Sequence, residues 1–221
     1  MNFSTIDDVK ARLDEYVEVR DKAITQSRTI VSLSRSLIQK LHQIQKEDSE
    51  GTWLPSIETA KERLLDEFQK VQDRMGQDPR LKHAGFWRNA MQELTEAVVL
   101  TSIIVPLYTG GDITFPSPKE IGVTDKAFIL GLCDVSGELK RATLQELKDE
   151  QFDLVTKLLT IMEGIYHKLM LFDYPHSVLP GFKKKVDILR RVSLSTSETL
   201  VKIKKETELR EALEKVGYTR K

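Results

Sequence analysis

From Thr5 to Lys46 the chain contains neither proline nor glycine, and its apolar residues recur with the period of an α-helix. Ile30, Leu33, Leu37, Leu41 and Ile44 follow the i, i+3/i+4 spacing that lays a stripe along one helix face. Ile24, Val31 and Ile38 widen that stripe, which predicts neighbours on more than one side. A helix this long exceeds what a compact four-helix core can cover. It is expected to project into a partner subunit.

The helical period continues through nearly the whole chain. EDSEGTWLP reads as a loop, Pro55 and Ser56 open a second helix that runs to about Met75, and GQDP breaks it. A third helix is expected from about Arg80 to Pro106. The turn-rich run YTGGDITFPSP then leads to a short helical turn near Lys119. Thr124 is a candidate N-cap for a fourth helix reaching about Leu147. Residues 149–172 form an amphipathic helix with Phe152, Val155, Leu158, Leu159, Met162, Ile165, Tyr166 and Leu169 on its apolar face; FDYPHSVLPG stops it. The last helix starts near Phe182 and reaches about Lys205, with a weaker continuation to Val216. No strand-like alternation persists and no glycine-rich phosphate loop appears. The fold class expected is all-α, as one domain over residues 1–221.

Lys+Arg and Asp+Glu both total 34, so no overall positive field advertises a nucleic acid, and any such binding must come from local patches. Cys133 is the single cysteine. No intrachain disulfide can form, and a reducing cytoplasm is expected. The N-terminal MNFSTIDDVKARLDEYVE is acidic and polar, unlike a signal peptide. The longest apolar stretch, Ala97 to Leu107, falls short of the ~20 residues that span a bilayer, so no membrane partner is expected.

Two carboxylate pairs interrupt the apolar stretches: Glu93 and Glu96 in AMQELTEAVVL, and Asp134 and Glu138 in ILGLCDVSGELKR. Their spacings of three and four put each pair on one helix face, where like charges repel by about 3 kcal/mol at an effective dielectric near 20. A cation, a bound proton or a basic partner must offset such acids on core-leaning faces. If the two helices pack antiparallel, four carboxylates converge and supply the hard oxygen ligands that Mg²⁺ or Mn²⁺ prefers. Such a metal would neutralise a phosphate, help deprotonate water and orient attack on a phosphodiester. The competing accounts are an ordinary solvated helix face and a di-iron centre. The second requires Glu-x-x-His pairs, and none of His42, His83, His167 and His176 sits three residues after a Glu.

Basic residues supply a second feature. Ser27–Arg28 and Ser34–Arg35 recur seven residues apart, so Arg28 and Arg35 share a face, with Arg20 near that ridge. Lys183, Lys184, Lys185, Arg190 and Arg191 cluster at the start of the last helix, and Lys140 and Arg141 directly follow the second acid pair. Singly these are solvated surface; together they match a phosphate backbone, whose contacts give affinity without sequence preference. Trp87 and Arg88 precede Glu93 by about two turns; Trp87 either stacks on a base or packs in the core, the core being the default. Cys133 has no nearby His and reads as a buried inert thiol. Nothing supports acyl transfer or zinc proteolysis, since Gly-x-Ser-x-Gly and His-Glu-x-x-His are both missing.

RDKAITQSRTIVSLSRSLIQKLHQI resembles the first-helix signature of the translin superfamily, especially translin-associated factor X. FWRNAMQELTEAVV is similar to the segment where factor X carries its first two catalytic acids, and VTDKAFILGLCDVSGELKRATL to the stretch with the other two. FDYPHSVLPGFKKKVDILRR resembles prokaryotic, mainly archaeal, members. The resemblance implies a seven-helix bundle that assembles into a hollow oligomeric barrel, a homo-octamer. It also implies a Mg²⁺-dependent endoribonuclease cutting single-stranded or loosely structured RNA inside the shell. By carry-over, Glu93, Glu96, Asp134 and Glu138 coordinate the metal and activate water. Arg20, Arg28, Arg35, Arg88, Lys140, Arg141, Lys184, Lys185, Arg190 and Arg191 are the candidates for holding RNA. The short connection between the two acidic helices departs from eukaryotic factor X, which carries a longer insert. That favours a self-sufficient homo-oligomer over a subunit that needs a translin-like partner. Two rivals stand beside this reading. One is a non-catalytic assembly binding single-stranded RNA or DNA, as translin does. The other is a structural oligomer whose acids merely salt-bridge basic side chains.

Overall fold

A computed structural model of the chain describes residues 3–44 and 52–215. Eight helices and no strand occur among them: α1 (Ser4–Leu41), α2 (Leu54–Gln77), α3 (Pro79–Lys82), α4 (Gly85–Thr109), α5 (Pro118–Ile121), α6 (Asp125–Lys148), α7 (Phe152–Leu169) and α8 (Phe182–Lys215). The all-α expectation holds. Eight rather than seven helices follow from one local event. The helix expected to start at Arg80 is instead a single turn, α3, capped by the Asp78 side chain on the Arg80 N–H, and a break at His83–Ala84 precedes α4. Lys46 and Val216, named as helix ends, and the start of the EDSEGTWLP loop lie outside the described residues.

Local chemistry places most boundaries. Pro55 sits in the first turn of α2, where its missing N–H costs nothing. Ser117 and Glu120 close a capping box on α5, each side chain bonded to the other residue's backbone N–H. The Thr124 hydroxyl accepts from the Ala127 N–H at 3.3 Å and caps α6 as expected. α4 runs three residues beyond Pro106 and ends on Gly110, whose φ of 78° is the left-handed conformation glycine adopts without strain.

The described residues form two compact units, one up to Gly131 and one from Leu132, with the boundary inside α6. In the first, α1 packs on α2 and α4. Its buried face runs Ala23, Ser27, Ile30, Ser34, Leu37 and Leu41, with Leu33, Val31 and Ile24 half-buried at the margins. α2 contributes Ile57, Leu64, Phe68, Val71 and Met75, and each fully buried side chain of this size stabilises by about 1.5–3 kcal/mol. α4 is long and apolar enough to cross a bilayer by length and composition, yet most of it is buried inside the fold, as expected of a core helix. The first half of α1 behaves differently: Ile6, Val9, Leu13 and Val17 keep helical spacing but are exposed.

The second unit comprises the rest of α6 with α7 and α8. The α7 stripe read from the sequence is buried at Val155, Leu158, Leu159, Met162, Ile165 and Leu169, with Phe152 and Tyr166 at its edge. Leu147, Val155, Leu159 and Leu200 form one cluster, flanked by Phe152 and Ile203.

Candidate functional site

Glu93 and Glu96 lie in the middle of α4, half-buried among buried Leu94, Thr95 and Ala97. Their spacing on an unbroken helix gives them a common face. Arg35 reaches that face from α1 and forks onto Glu93: Nη2 donates to Oε1 at 3.1 Å and Nε donates to Oε2 at 3.3 Å. The Arg35 side chain is 68% exposed and that of Glu93 only 20%, so a solvent-exposed cation covers a sheltered acid. The hydrogen bond and charge of Glu93 raise the Arg35 pKa above its ordinary value, and the charge of Glu96 adds to them.

Arg35 also lines a groove of about 560 Å³ together with Arg28, Ser32, Ser36, Gln39 and Asn89. Arg28 and Arg35 therefore share one depression, as their seven-residue spacing predicts. Arg20 is not among the lining residues; its Nη1 lies 3.4 Å from Asp21. The polar residues around the two arginines escaped the sequence reading. Ser32 and Ser36, four apart on α1, carried a faint signal of a common face. Asn89 comes from another helix, and nothing local connects it to Arg35.

Trp87 belongs to the core. It is 3% exposed and stacks on Phe68 with ring centroids 5.1 Å apart, which removes it as a platform for a base. Arg88 beside it is exposed. Gly131 marks a close helix approach within the first unit. A Cβ placed on it would stand 2.6 Å from the Gln92 carbonyl oxygen and 2.7 Å from Thr95 Cβ. The glycine in GLCD was the available signal, since glycine inside a helical pattern marks close backbone approach.

In the second unit Asp134 and Glu138 are half-buried on α6. Lys185, from the first turn of α8, donates through Nζ to both Asp134 carboxylate oxygens. It is thereby tied to an acid rather than turned outward to nucleic acid. Glu138 Oε2 lies 3.9 Å from Arg141 Nη1 one turn along the same helix. Lys140 donates to Ser195 Oγ at 3.3 Å and lines a second groove of about 720 Å³ with Arg141, Leu144, Lys148 and Ile203. Lys184 and Arg190 are exposed on α8, and Arg191 Nε donates to the Asp187 carbonyl at 3.4 Å.

Glu93, Asp134 and Glu138 thus each have a basic side chain within ion-pair distance, the pattern a purely structural role would have. Among the described residues no three His, Cys, Asp or Glu side chains gather at one point as a ready-made metal cage. By chemistry the donor set suits a hard divalent cation, being all carboxylate oxygen. An ion binding Glu93 would have to displace Arg35, and one binding Asp134 would have to displace Lys185.

Cys133 is buried, and burial first, with the Asp134 charge second, pushes its thiol up to about 12. Almost no thiolate exists at neutral pH. Iodoacetamide at about pH 8 is therefore expected to leave the native protein unmodified and to alkylate it only after denaturation, as intact-mass measurement would read.

Residues 18–201 match the Translin family. The uncharacterized protein MJ0175 of Methanocaldococcus jannaschii is 30% identical over 199 residues, covering 90% of this chain and 82% of that protein. Among solved structures, apo-NeC3PO superposes with a TM-score of 0.74 at 18% identity, covering 92% of this chain and 99% of that one. AfC3PO in complex with duplex RNA also gives 0.74, at 23% identity and with 90% and 96% coverage. A family match over most of the length, a relative at this identity and a shared all-α fold lead to one conclusion: the chain belongs to the Translin family.

Proposed function

We propose that the protein is a metal-dependent endoribonuclease acting on single-stranded or loosely structured RNA. The observation that carries this reading is the half-buried acids Glu93 and Asp134, each drawing a long basic side chain from another helix. These carboxylates call for positive charge, and Arg35 and Lys185 supply it. Glu93, Glu96, Asp134 and Glu138 would hold the ion, Mg²⁺ or Mn²⁺. When bound, such a cation neutralises phosphate charge and lowers the pKa of an attacking water. Arg28 and Arg35 hold the phosphodiester backbone in the α1 groove and orient it, and a carboxylate of the acid set accepts the proton from water.

The duplex RNA held by AfC3PO supports a nucleic-acid ligand for this chain as well. The exposed stripe of Ile6, Val9, Leu13 and Val17 supports burial of the α1 N-terminal half against other copies, in a homo-oligomeric shell such as an octamer. A single thiol kept buried suits a reducing cytoplasm. A second reading, a translin-type assembly that binds single-stranded RNA or DNA without turnover, is favoured by the ion pairs already formed on Glu93, Asp134 and Glu138.

Labelled single-stranded RNA incubated with Mg²⁺ or Mn²⁺, and in parallel with chelator, separates the two. Fragments are expected only with metal, while the bound fraction persists in chelator. RNA that stays intact with either metal leaves the binding assembly as the function.

A further inference from the structure

We infer that Arg35 couples the two halves of the first-unit site: it leaves Glu93 for a phosphodiester in the α1 groove, so nucleic acid and divalent cation bind cooperatively. The inference rests on the metal-dependent reading above and says how that site is regulated. Arg35 belongs to both features, lining the groove with Arg28 and Asn89 while its Nε and Nη2 donate to the two oxygens of Glu93. A cation arriving on Glu93 must take those same oxygens, and its charge opposes a guanidinium beside it. A phosphate in the groove offers Arg35 an equivalent bidentate acceptor. The side chain is long and mostly solvent-exposed, so the exchange needs no backbone movement. Without nucleic acid the acid pair is shielded; with it, Glu93 is released beside Glu96. Linkage requires reciprocity, so the cation must strengthen backbone binding by the same factor.

The test is calorimetric titration of the full chain with Mn²⁺, with and without an oligothymidylate of about twelve nucleotides. This probe presents the phosphodiester backbone but no ribose to an RNA-cutting enzyme. In the parent, the oligonucleotide is expected to tighten Mn²⁺ binding about fivefold or more, within the usual range of coupling between sites. Arg35→Gln is expected to bind Mn²⁺ about fivefold tighter without oligonucleotide, to gain less than about twofold from adding it, and to bind the oligonucleotide more weakly. Lys40→Gln removes a charge from the same helix at a residue bonded to Ser56, and is expected to leave Mn²⁺ affinity at the parental value. A saturable Mn²⁺ site that Glu93→Gln abolishes, but whose affinity is equal in the parent and Arg35→Gln, overturns the coupling and leaves the metal reading standing. Equal gains from Lys40→Gln and Arg35→Gln overturn it too, by exposing a diffuse charge effect. Absence of any Glu93-dependent Mn²⁺ binding defeats the metal reading and the coupling together.

Discussion

Glu138→Gln is expected to slow RNA cleavage by at least about 100-fold, the scale on which removal of one preorganised charge-stabilising group acts, while RNA affinity stays within about twofold. Glutamine keeps the shape of glutamate and removes its negative charge, so the change acts on the field that would hold a cation and receive a proton. The ion pair of Glu138 with Arg141, one turn away on the same helix, 3.9 Å distant and 64% exposed, contributes a few tenths of a kcal/mol at most. In the proposed reading affinity resides elsewhere, in the groove that Arg28 and Arg35 line. Single-turnover cleavage of labelled RNA, alongside a filter-binding isotherm in chelator, reads both quantities. Parental cleavage by the variant would remove Glu138 from the chemistry.

Gly131→Ala is expected to destabilise the protein by about 2–3 kcal/mol, within the usual cost of overpacking. Helix propensity alone argues the opposite, since alanine in a helix interior is better than glycine by about 1 kcal/mol. Packing decides the sign. The added methyl would lie 2.6 Å from the Gln92 carbonyl oxygen and 2.7 Å from Thr95 Cβ. Neither atom can turn away, because one is helix backbone and the other is the branch point of a fully buried side chain that donates through Oγ1 to the Met91 carbonyl. α6 must retreat from α4, leaving space in a close-packed core. For a chain of this size the melting temperature should fall by roughly 5–10 °C. A midpoint equal to or above the parental one would mean that the two helices do not cross this closely.

Helix positions were the most legible property of the chain because they depend on neighbours a few residues away. The i, i+3/i+4 stripe of α7, Thr124 as a cap and Pro55 in a first turn are set by local chemistry, and the structure has each where expected. The failure at Arg80 has the same local origin: Asp78 bonds the Arg80 N–H and guanidinium together and closes a one-turn helix before α4 begins. The acids were also legible as residues out of place on apolar faces. Their partners were not. Arg35 lies 58 residues from Glu93 and Lys185 lies 51 from Asp134, separations at which no periodicity operates.

Trp87 shows the same divide: the sequence left a stacking platform open beside the default core position, and Phe68 of α2 stacked on its ring decides for the core. Residue types and their recurrence along the chain thus established an all-α protein carrying two acid pairs and a ridge of arginines. Which cation sits on which acid, which aromatic is core, and where two helices touch without side chains between them were settled by packing. Charge pairing and close contact act through space, and folding brings together groups that the chain keeps far apart.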